Sequence, residues 1–232
     1  MKILVINPND SNDMRLLIEQ SCREVASQST DITVVCAGAG VASVEGYYDG
    51  AIAQVGVLEQ IQLGEKEGFD AYLIACADDT GLYAAREIAK GPVIGIGEAA
   101  MHYASMLGYG FAILTAQSKS IAILSQNAIN YGFERQCKGV YAACIPVLAL
   151  EALSESERAH LVARAEAILQ HSEAEVLVFG CAGLTQQQSH FSHKLNLPVV
   201  DGVRAGVSML EGLVRNKLQT SKRNTFQTNT MA

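Results

Sequence analysis

The sequence has no tryptophan, only four prolines and few basic residues. Its 17 Lys and Arg stand against 24 Asp and Glu, so the formal net charge is −7. No basic run occurs before the C-terminal tail, which argues against a nucleic-acid-binding protein. No apolar run approaches the roughly 20 residues that cross a bilayer, and only four apolar residues follow Lys2. We therefore expect neither a membrane span nor a secretory signal.

The six cysteines are scattered along the chain and form no CxxC pair. This spacing argues against a disulfide framework and a structural zinc site, and it favours a reducing cytoplasm. His190 and His193 are three residues apart, but they fit an exposed helix face better than a metal site, and we expect no metal. The segment GAGVAS (38–43) matches neither glycine-rich nucleotide pattern, so we expect no nucleotide.

Short apolar runs alternate with longer amphipathic segments, which is typical of an α/β protein with parallel strands. Strands are predicted at 2–6, 31–35, 71–75 and 93–96, and then at 111–114, 139–144, 176–179 and 199–200. Helices are predicted between them, among them 47–67, a segment at 154–170 that starts with a Ser154–Glu157 capping box, and a last helix at 206–218. We expect the polar tail, 219–232, to be disordered.

Three landmarks recur at one spacing, which indicates an internal repeat. Cys76 and Cys181 are 105 residues apart, Pro92 and Pro198 are 106 apart, and the segments ILVINPN and AILTAQS are displaced by a similar amount. The repeat predicts two pseudo-symmetric lobes, each a parallel four-stranded sheet flanked by helices. Ligands of open parallel sheets bind beyond the carboxyl ends of the strands, so we expect the active site between the lobes.

Cys76 and Cys181 each end an apolar run, AYLIAC and VLVFGC, and each precedes a helical segment. Two thiols on opposite faces of one carbon suit racemisation, in which one group removes a proton and the other returns one. A helix N-terminus can lower a thiol pKa. The backbone N–H groups of Ala77, Asp78, Ala182 and Gly183 are candidate donors to an enolate. The alternative is that both cysteines are structural residues at strand ends.

The segment CADDTG holds two adjacent carboxyl groups, Asp78 and Asp79. We expect at least one of them to cap the helix that begins near Gly81. A carboxylate at Asp78 that pointed towards Cys76 would oppose ionisation of its thiol.

Seven segments together resemble the Asp/Glu racemase superfamily, and within it the hydantoin and allantoin racemases, over about residues 1–218. They are ILVINPN (3–9), ASVEGYYDGA (42–51), IAC followed by DTGL (74–82), PVIGIGEAAMH (92–102), IPVL (145–148), FGCAGL (179–184) and PVVDGV (198–203). The chain departs from the family pattern at CADDTG, where the family tends to have CFGDPG.

The resemblance implies a cofactor-independent racemase in which Cys76 and Cys181 are the two acid–base residues. It also implies that Asn7 helps to hold the substrate and that Thr115 lies beside its carbonyl groups. The C-terminal helix is implied to pack back on the first lobe, so the first lobe comprises 1–97 plus 206–218 and the second 98–205. The expected substrate is a small molecule, a 5-substituted hydantoin or allantoin, and the expected assembly is a homo-oligomer.

Other functions remain open on the sequence alone. A decarboxylase or isomerase of the same fold needs only one cysteine, and an amino-acid racemase needs polar or basic groups for the α-carboxylate. A non-catalytic small-ligand-binding protein does not need a thiol from each lobe, and a redox sensor would join the same two thiols in a disulfide.

Overall fold

The structure is a computed structural model that describes residues 1–227. In the first half, strands and helices alternate and the four strands form one parallel sheet in the order β2-β1-β3-β4. The elements are β1 (Lys2–Asn7), α1 (Asn12–Val25), β2 (Asp31–Cys36), α2 (Tyr47–Glu67), β3 (Ala71–Ile74), α3 (Leu82–Ile88), β4 (Val93–Gly95) and α4 (Ile96–Leu107).

The second half repeats this arrangement with a second parallel sheet in the order β6-β5-β7-β8. Its elements are β5 (Phe111–Thr115), α5 (Lys119–Asn130), β6 (Cys137–Ala142), α6 (Glu155–His171), β7 (Val176–Phe179), α7 (Gln188–Leu195), β8 (Val199–Val200) and α8 (Gly202–Arg215). Short 3₁₀ helices lie at Val147–Ala152, Ala182–Gln187 and Asn224–Phe226. The two equivalent strand orders confirm the predicted α/β fold with two pseudo-symmetric sheets.

The central strands are buried on both faces, which explains why they read as continuous apolar runs. Every residue of β3, β5 and β7 is buried. The predicted capping box of α6 is confirmed, because Ser154 and Glu157 exchange hydrogen bonds between side chain and backbone. Within residues 1–227, no helix has the length and apolar character that crossing a membrane requires.

The helix that follows the last strand of each sheet packs towards the other half of the chain. Helix α8 contacts β3 and β4 of the first sheet, and α4 contacts β7 of the second. Gly206 makes the approach of α8 possible, since a Cβ there would lie 2.4 Å from the Leu73 side chain. Helix α8 begins at Gly202, four residues earlier than predicted, because the Asp201 side chain accepts from the Arg204 N–H and caps it.

Two predictions about irregular segments differ from the structure. Strand β6 ends at Ala142 instead of Cys144, because Cys144 has a positive φ of 60° that leaves the extended conformation. The tail was expected to be disordered from residue 219, but 219–227 lies along α3. The Lys222 ammonium group donates to the carbonyls of Arg86 and Glu87 at the C-terminal end of α3, where carbonyl groups lack helical partners. Residues 228–232 of the predicted tail lie outside the described residues.

Candidate active site

A cleft lies at the carboxyl ends of both sheets. All eight residues singled out from the sequence line it, together with residues from both lobes that the sequence did not indicate. The expected residues are Asn7, Cys76, Ala77, Asp78, Thr115, Cys181, Ala182 and Gly183, and the additional ones include Met14, Val44, Ser120 and Val147. The predicted site residues are therefore brought together by the fold.

Each cysteine is the first residue beyond the hydrogen-bonded part of its strand. The Ala75 N–H donates to the Ile6 carbonyl at 2.8 Å, and the Gly180 N–H donates to the Leu114 carbonyl at 2.8 Å. The chain leaves the sheet immediately after these matching bonds, so both thiols reach the cleft from equivalent positions. Both cysteines are free and partly accessible.

Each sulfur accepts a hydrogen bond from the backbone N–H two residues later, from Asp78 to Cys76 and from Gly183 to Cys181. These donors lower both thiol pKa values, but burial dominates. Burial raises the pKa of Cys181 to about 12, and it raises that of Cys76 well above its ordinary value. The expectation that a helix N-terminus lowers these pKa values is therefore wrong for the net shift. Removing water destabilises each thiolate by more than the N–H groups stabilise it.

The Asp78 carboxyl group acts on both thiols. Its negative charge raises the pKa of Cys76 and that of Cys181. Burial raises the pKa of Asp78 itself to about 6, an effect that the Ser120 hydroxyl opposes. Within residues 1–227, the buried Oδ2 atom of Asp78 has no hydrogen-bond partner. The cleft thus contains an acidic group next to its two thiols.

Asn7 and Thr115 occupy corresponding ends of β1 and β5, the central strands of the two sheets. The Asn7 amide nitrogen donates to Asn9 Oδ1 at 2.7 Å and to the Ser11 carbonyl. The Thr115 hydroxyl donates to the Gly180 carbonyl at 2.9 Å, next to Cys181. Both side chains therefore hold the loops that line the cleft in place.

Two polar contacts join the two halves of the chain next to the cleft. The Glu45 carboxylate accepts from the Val147 N–H at 3.2 Å, and Ser11 donates to Glu151 at 2.5 Å. The sequence did not indicate these contacts, since Glu45 and Val147 are 102 residues apart and lie in irregular segments. Both residues lie in segments that carry the family resemblance, 42–51 and 145–148, but neither segment by itself indicates that it contacts the other.

At least one of Asp78 and Asp79 was expected to cap the helix near Gly81, but neither side chain caps it, and the Asp79 carboxylate caps a different helix. It accepts from the N–H groups of Gly97 and Glu98 at 2.8 Å each, at the start of α4, and from the Tyr131 hydroxyl at 2.7 Å. The expected assignment fails because β3 and β4 are neighbours, which brings the loop after β3 against the N-terminus of α4.

The lining residues carry little charge. Asp78 is ionisable and the cysteines are weakly acidic, while no Lys, Arg or His is found among the described residues that line the cleft. The fold and this site define a class of two-lobed α/β proteins in which each lobe contributes one thiol to a shared, nearly uncharged cleft.

The sequence model of the family described as Asp/Glu/Hydantoin racemase matches residues 3–210, and the chain belongs to that family. A hydantoin racemase from Rhizobium meliloti is 39% identical over 226 residues, which cover 97% of this chain and 94% of the relative. An allantoin racemase from Klebsiella pneumoniae has a solved structure with a TM-score of 0.97 and 41% identity, covering 100% of this chain and 95% of that one.

A second solved structure, an allantoin racemase from Pseudomonas fluorescens, has a TM-score of 0.96 at 31% identity, with 100% and 98% of the two chains covered. The protein is a racemase, an isomerase whose relatives act on small molecules. The likeness to a glutamate racemase from Bacillus anthracis, with a TM-score of 0.70 at 17% identity, shows the shared fold.

Proposed function

We propose that this racemase inverts the ring carbon C5 of a 5-substituted hydantoin, allantoin included, and that Cys76 and Cys181 are the two proton-transfer groups. One observation carries the proposal: a thiol from each lobe lines one cleft that has no cationic side chain among its described residues. A hydantoin ring is neutral, so it needs no cation. An α-amino acid would bring a carboxylate close to the Asp78 carboxyl group, which disfavours the amino-acid racemase alternative.

In the proposed reaction, the thiolate of one cysteine removes the C5 proton. The C–H electron pair moves onto the adjacent ring carbonyl and forms an enolate. The thiol of the other cysteine then delivers its proton to the opposite face of C5, the carbonyl reforms, and the two sulfurs end with exchanged protonation states. A positioned acid or base of this kind typically contributes about 10²–10⁴-fold to the rate.

Two of the four N–H groups expected to stabilise the enolate have another role. Those of Asp78 and Gly183 donate to the two sulfurs. We assign enolate stabilisation to the N–H groups of Ala77 and Ala182, which are adjacent to the cysteines and line the same cleft. This division gives each lobe one donor for its thiolate and one for the substrate oxygen.

A panel of single enantiomers in D₂O tests the proposal. Allantoin, a 5-alkylhydantoin, 5-benzylhydantoin, aspartate and glutamate are each incubated with the protein, and optical rotation and deuterium incorporation at the reacting carbon are followed against enzyme-free samples. We expect loss of rotation with incorporation for at least one hydantoin and for neither amino acid. Absence of both signals for every hydantoin would falsify the assignment.

Cysteine variants test the two-thiol mechanism with an internal control. Cys76→Ser and Cys181→Ser should each lower the racemisation rate by about 10² or more, because a serine hydroxyl is a much weaker acid than a thiol. Cys144→Ser is the matched control, since Cys144 is exposed and does not line the cleft. A single-cysteine requirement is indicated if either cleft variant racemises at the wild-type rate.

A further inference from the structure

The two cysteine loops have related sequences but place their acidic residues differently. Residues 76–80 read CADDT and residues 181–185 read CAGLT, so Thr80 corresponds to Thr185 and Asp79 corresponds to Leu184. The residue before the helix that follows the last strand of each sheet is Gly95 in the first half and Asp201 in the second. In each half one aspartate caps this helix, but from a different position: Asp79 on the cysteine loop and Asp201 directly before the helix.

In the first half, the aspartate lies on the cysteine loop and reaches the helix. The Asp79 carboxylate binds the N–H groups at the start of α4, as described above, and a positive φ of 54° holds Asp79 in a conformation that non-glycine residues rarely adopt. Asp79 directly follows Asp78, whose N–H donates to the Cys76 sulfur. The carboxylate therefore fixes the loop next to that donor.

In the second half, the aspartate lies on the helix and reaches the cysteine loop. Asp201 caps α8 by accepting from the Arg204 N–H at 3.1 Å, and its Oδ2 atom also accepts from the Thr185 hydroxyl at 2.7 Å. Thr185 is two residues after Gly183, whose N–H donates to the Cys181 sulfur. A carboxylate therefore connects the cysteine loop with a helix N-terminus in both halves. It belongs to the loop in the first half and to the residue before the helix in the second.

Gly95 shows that these two arrangements exclude each other. A Cβ on Gly95 would lie 2.0 Å from Asp79 Oδ1 and 2.3 Å from Asp79 Cγ. The carboxyl group of Asp79 therefore fills the space in which a side chain at position 95 would begin, the position that Asp201 holds in the second half. Thr80, the counterpart of Thr185, has a buried hydroxyl without a hydrogen-bond partner among the nitrogen and oxygen atoms of residues 1–227, and it lies beside the Cys76 sulfur.

We propose that Asp79 and Asp201 are positioning residues, Asp79 for Cys76 and Asp201 for Cys181. The two buried carboxylates have the same role, but one belongs to the cysteine loop and the other to the residue before the helix. Each carboxyl group ties a cysteine loop to a helix N-terminus, whose N–H groups oppose the rise in its pKa that burial causes. This tie holds the N–H donor of Asp78 or Gly183 on its sulfur. The inference concerns the reactivity of each thiol and does not depend on the identity of the substrate.

Site-resolved alkylation of the wild-type protein and of Asp79→Asn and Asp201→Asn tests the proposal. The proteins are treated with iodoacetamide at fixed pH, and the modification of each cysteine is followed over time by peptide mass spectrometry. Asparagine keeps the size of aspartate but supplies one acceptor oxygen instead of two.

We expect Asp79→Asn to slow alkylation of Cys76 by about tenfold, which corresponds to losing one hydrogen bond to a charged sulfur, and to leave Cys181 within about twofold. Asp201→Asn should give the converse result. The exposed Cys144 serves as a reference for general reactivity. A purely structural role predicts equal changes in the alkylation rates of both thiols. The proposal is overturned by equal changes, by no change, or by faster alkylation of Cys76 in Asp79→Asn or of Cys181 in Asp201→Asn.

A relocation variant provides the second test. Asp79→Gly alone removes the carboxylate while tolerating the positive φ, whereas the double variant Asp79→Gly with Gly95→Asp returns a carboxylate at the position used in the second half. There it can cap α4 and accept from Thr80, as Asp201 caps α8 and accepts from Thr185. We expect the double variant to recover most of the Cys76 alkylation rate that Asp79→Gly loses.

Circular dichroism and thermal melting establish that each variant is folded. A folded double variant whose Cys76 reacts as slowly as that of Asp79→Gly contradicts the shared role of the two carboxylates. Should the double variant not fold, the pair Asp79→Asn and Asp201→Asn decides the proposal by itself. Racemisation is not measured in these experiments, so their failure is distinguishable from failure of the proposed function.

Discussion

Asp78 has two opposite effects on Cys76. Its backbone N–H donates to the Cys76 sulfur and lowers the thiol pKa, while its carboxyl group raises that pKa. The carboxyl group also raises the pKa of Cys181, although Gly183 supplies the N–H donor there. The backbone at position 78 therefore supports formation of a thiolate, and the side chain opposes it at both sulfurs.

Asp78→Asn should increase the thiolate fraction at both cysteines. Asp78 has a pKa of about 6, so the wild type and the variant should behave alike near pH 5 and diverge above pH 6 as the wild-type carboxyl ionises. We expect the rise of racemisation rate with pH to shift to lower pH by about 0.5–1 pH unit in the variant. The measurement is the pH profile of kcat, with iodoacetamide alkylation of both cysteines as a check that is independent of substrate.

Ser120→Ala is the matched control for that shift. Ser120 lowers the pKa of Asp78, so Ser120→Ala should raise the pH at which Asp78 ionises. At high pH the Asp78 carboxylate is still present beside the two thiols, as in the wild type. An unchanged profile in Asp78→Asn, or one moved to higher pH, would show that the carboxyl group does not face the thiols.

Asp78→Asn should also stabilise the folded protein at neutral and alkaline pH. Folding raises the pKa of Asp78 from 3.8 to about 6, so this group costs no stability below pH 3.8 and an increasing amount as pH rises to about 6. We expect the variant to exceed the wild type by about 1–3 kcal/mol at pH 8 and to equal it near pH 3.8. Urea unfolding at several pH values measures the difference, and a gap that is constant with pH contradicts the burial of an ionised carboxylate.

Glu45→Ala should loosen the contact between the two halves of the chain next to the cleft. The Val147 N–H donates to Glu45, so removing the carboxylate leaves this amide exposed to exchange. We expect hydrogen–deuterium exchange at residues 145–150 to become at least about fivefold faster, as for a locally opening segment. Glu67→Ala, at the exposed C-terminal end of α2, is the control and should leave exchange at residues 145–150 unchanged. Equal exchange at residues 145–150 in the two variants would show that the Glu45 carboxylate does not limit the opening of this segment.

Two glycines of α8 give a matched test of how this helix packs on the first sheet. Gly206→Ala places a Cβ 2.4 Å from the Leu73 side chain, whereas a Cβ on Gly212 meets no atom within 4 Å in the described part of the chain. We expect Gly206→Ala to lower the free energy of unfolding by about 1–3 kcal/mol through overpacking. Gly212→Ala should be neutral or raise it by up to about 1 kcal/mol through helix propensity. Comparable effects of the two substitutions in denaturant unfolding would contradict the close approach of α8 to β3.

Much of the fold was predictable because each element carries its own local signal. Helix α2 has the predicted bounds, and the buried strands are apolar enough to be located within a residue or two. The repeat spacing placed Cys76 and Cys181 at equivalent strand ends, and both line the cleft. The Val147–Ala152 helix and the contact from Glu45 to Val147 were missed, since such interactions are specified by distant segments.

The sequence by itself determined the two-fold repeat, the strands, the positions of the two cysteines and the family resemblance. Only the tertiary structure decided their electrostatic surroundings, because desolvation and hydrogen bonding depend on what packs around a group. It removes water from around both thiols and raises their pKa values, brings the Asp78 carboxyl group close enough to act on both, and directs Asp79 to α4. The aspartates at 79 and 201 are visible in the sequence, but that they complete the same connection from opposite sides follows from their contacts alone.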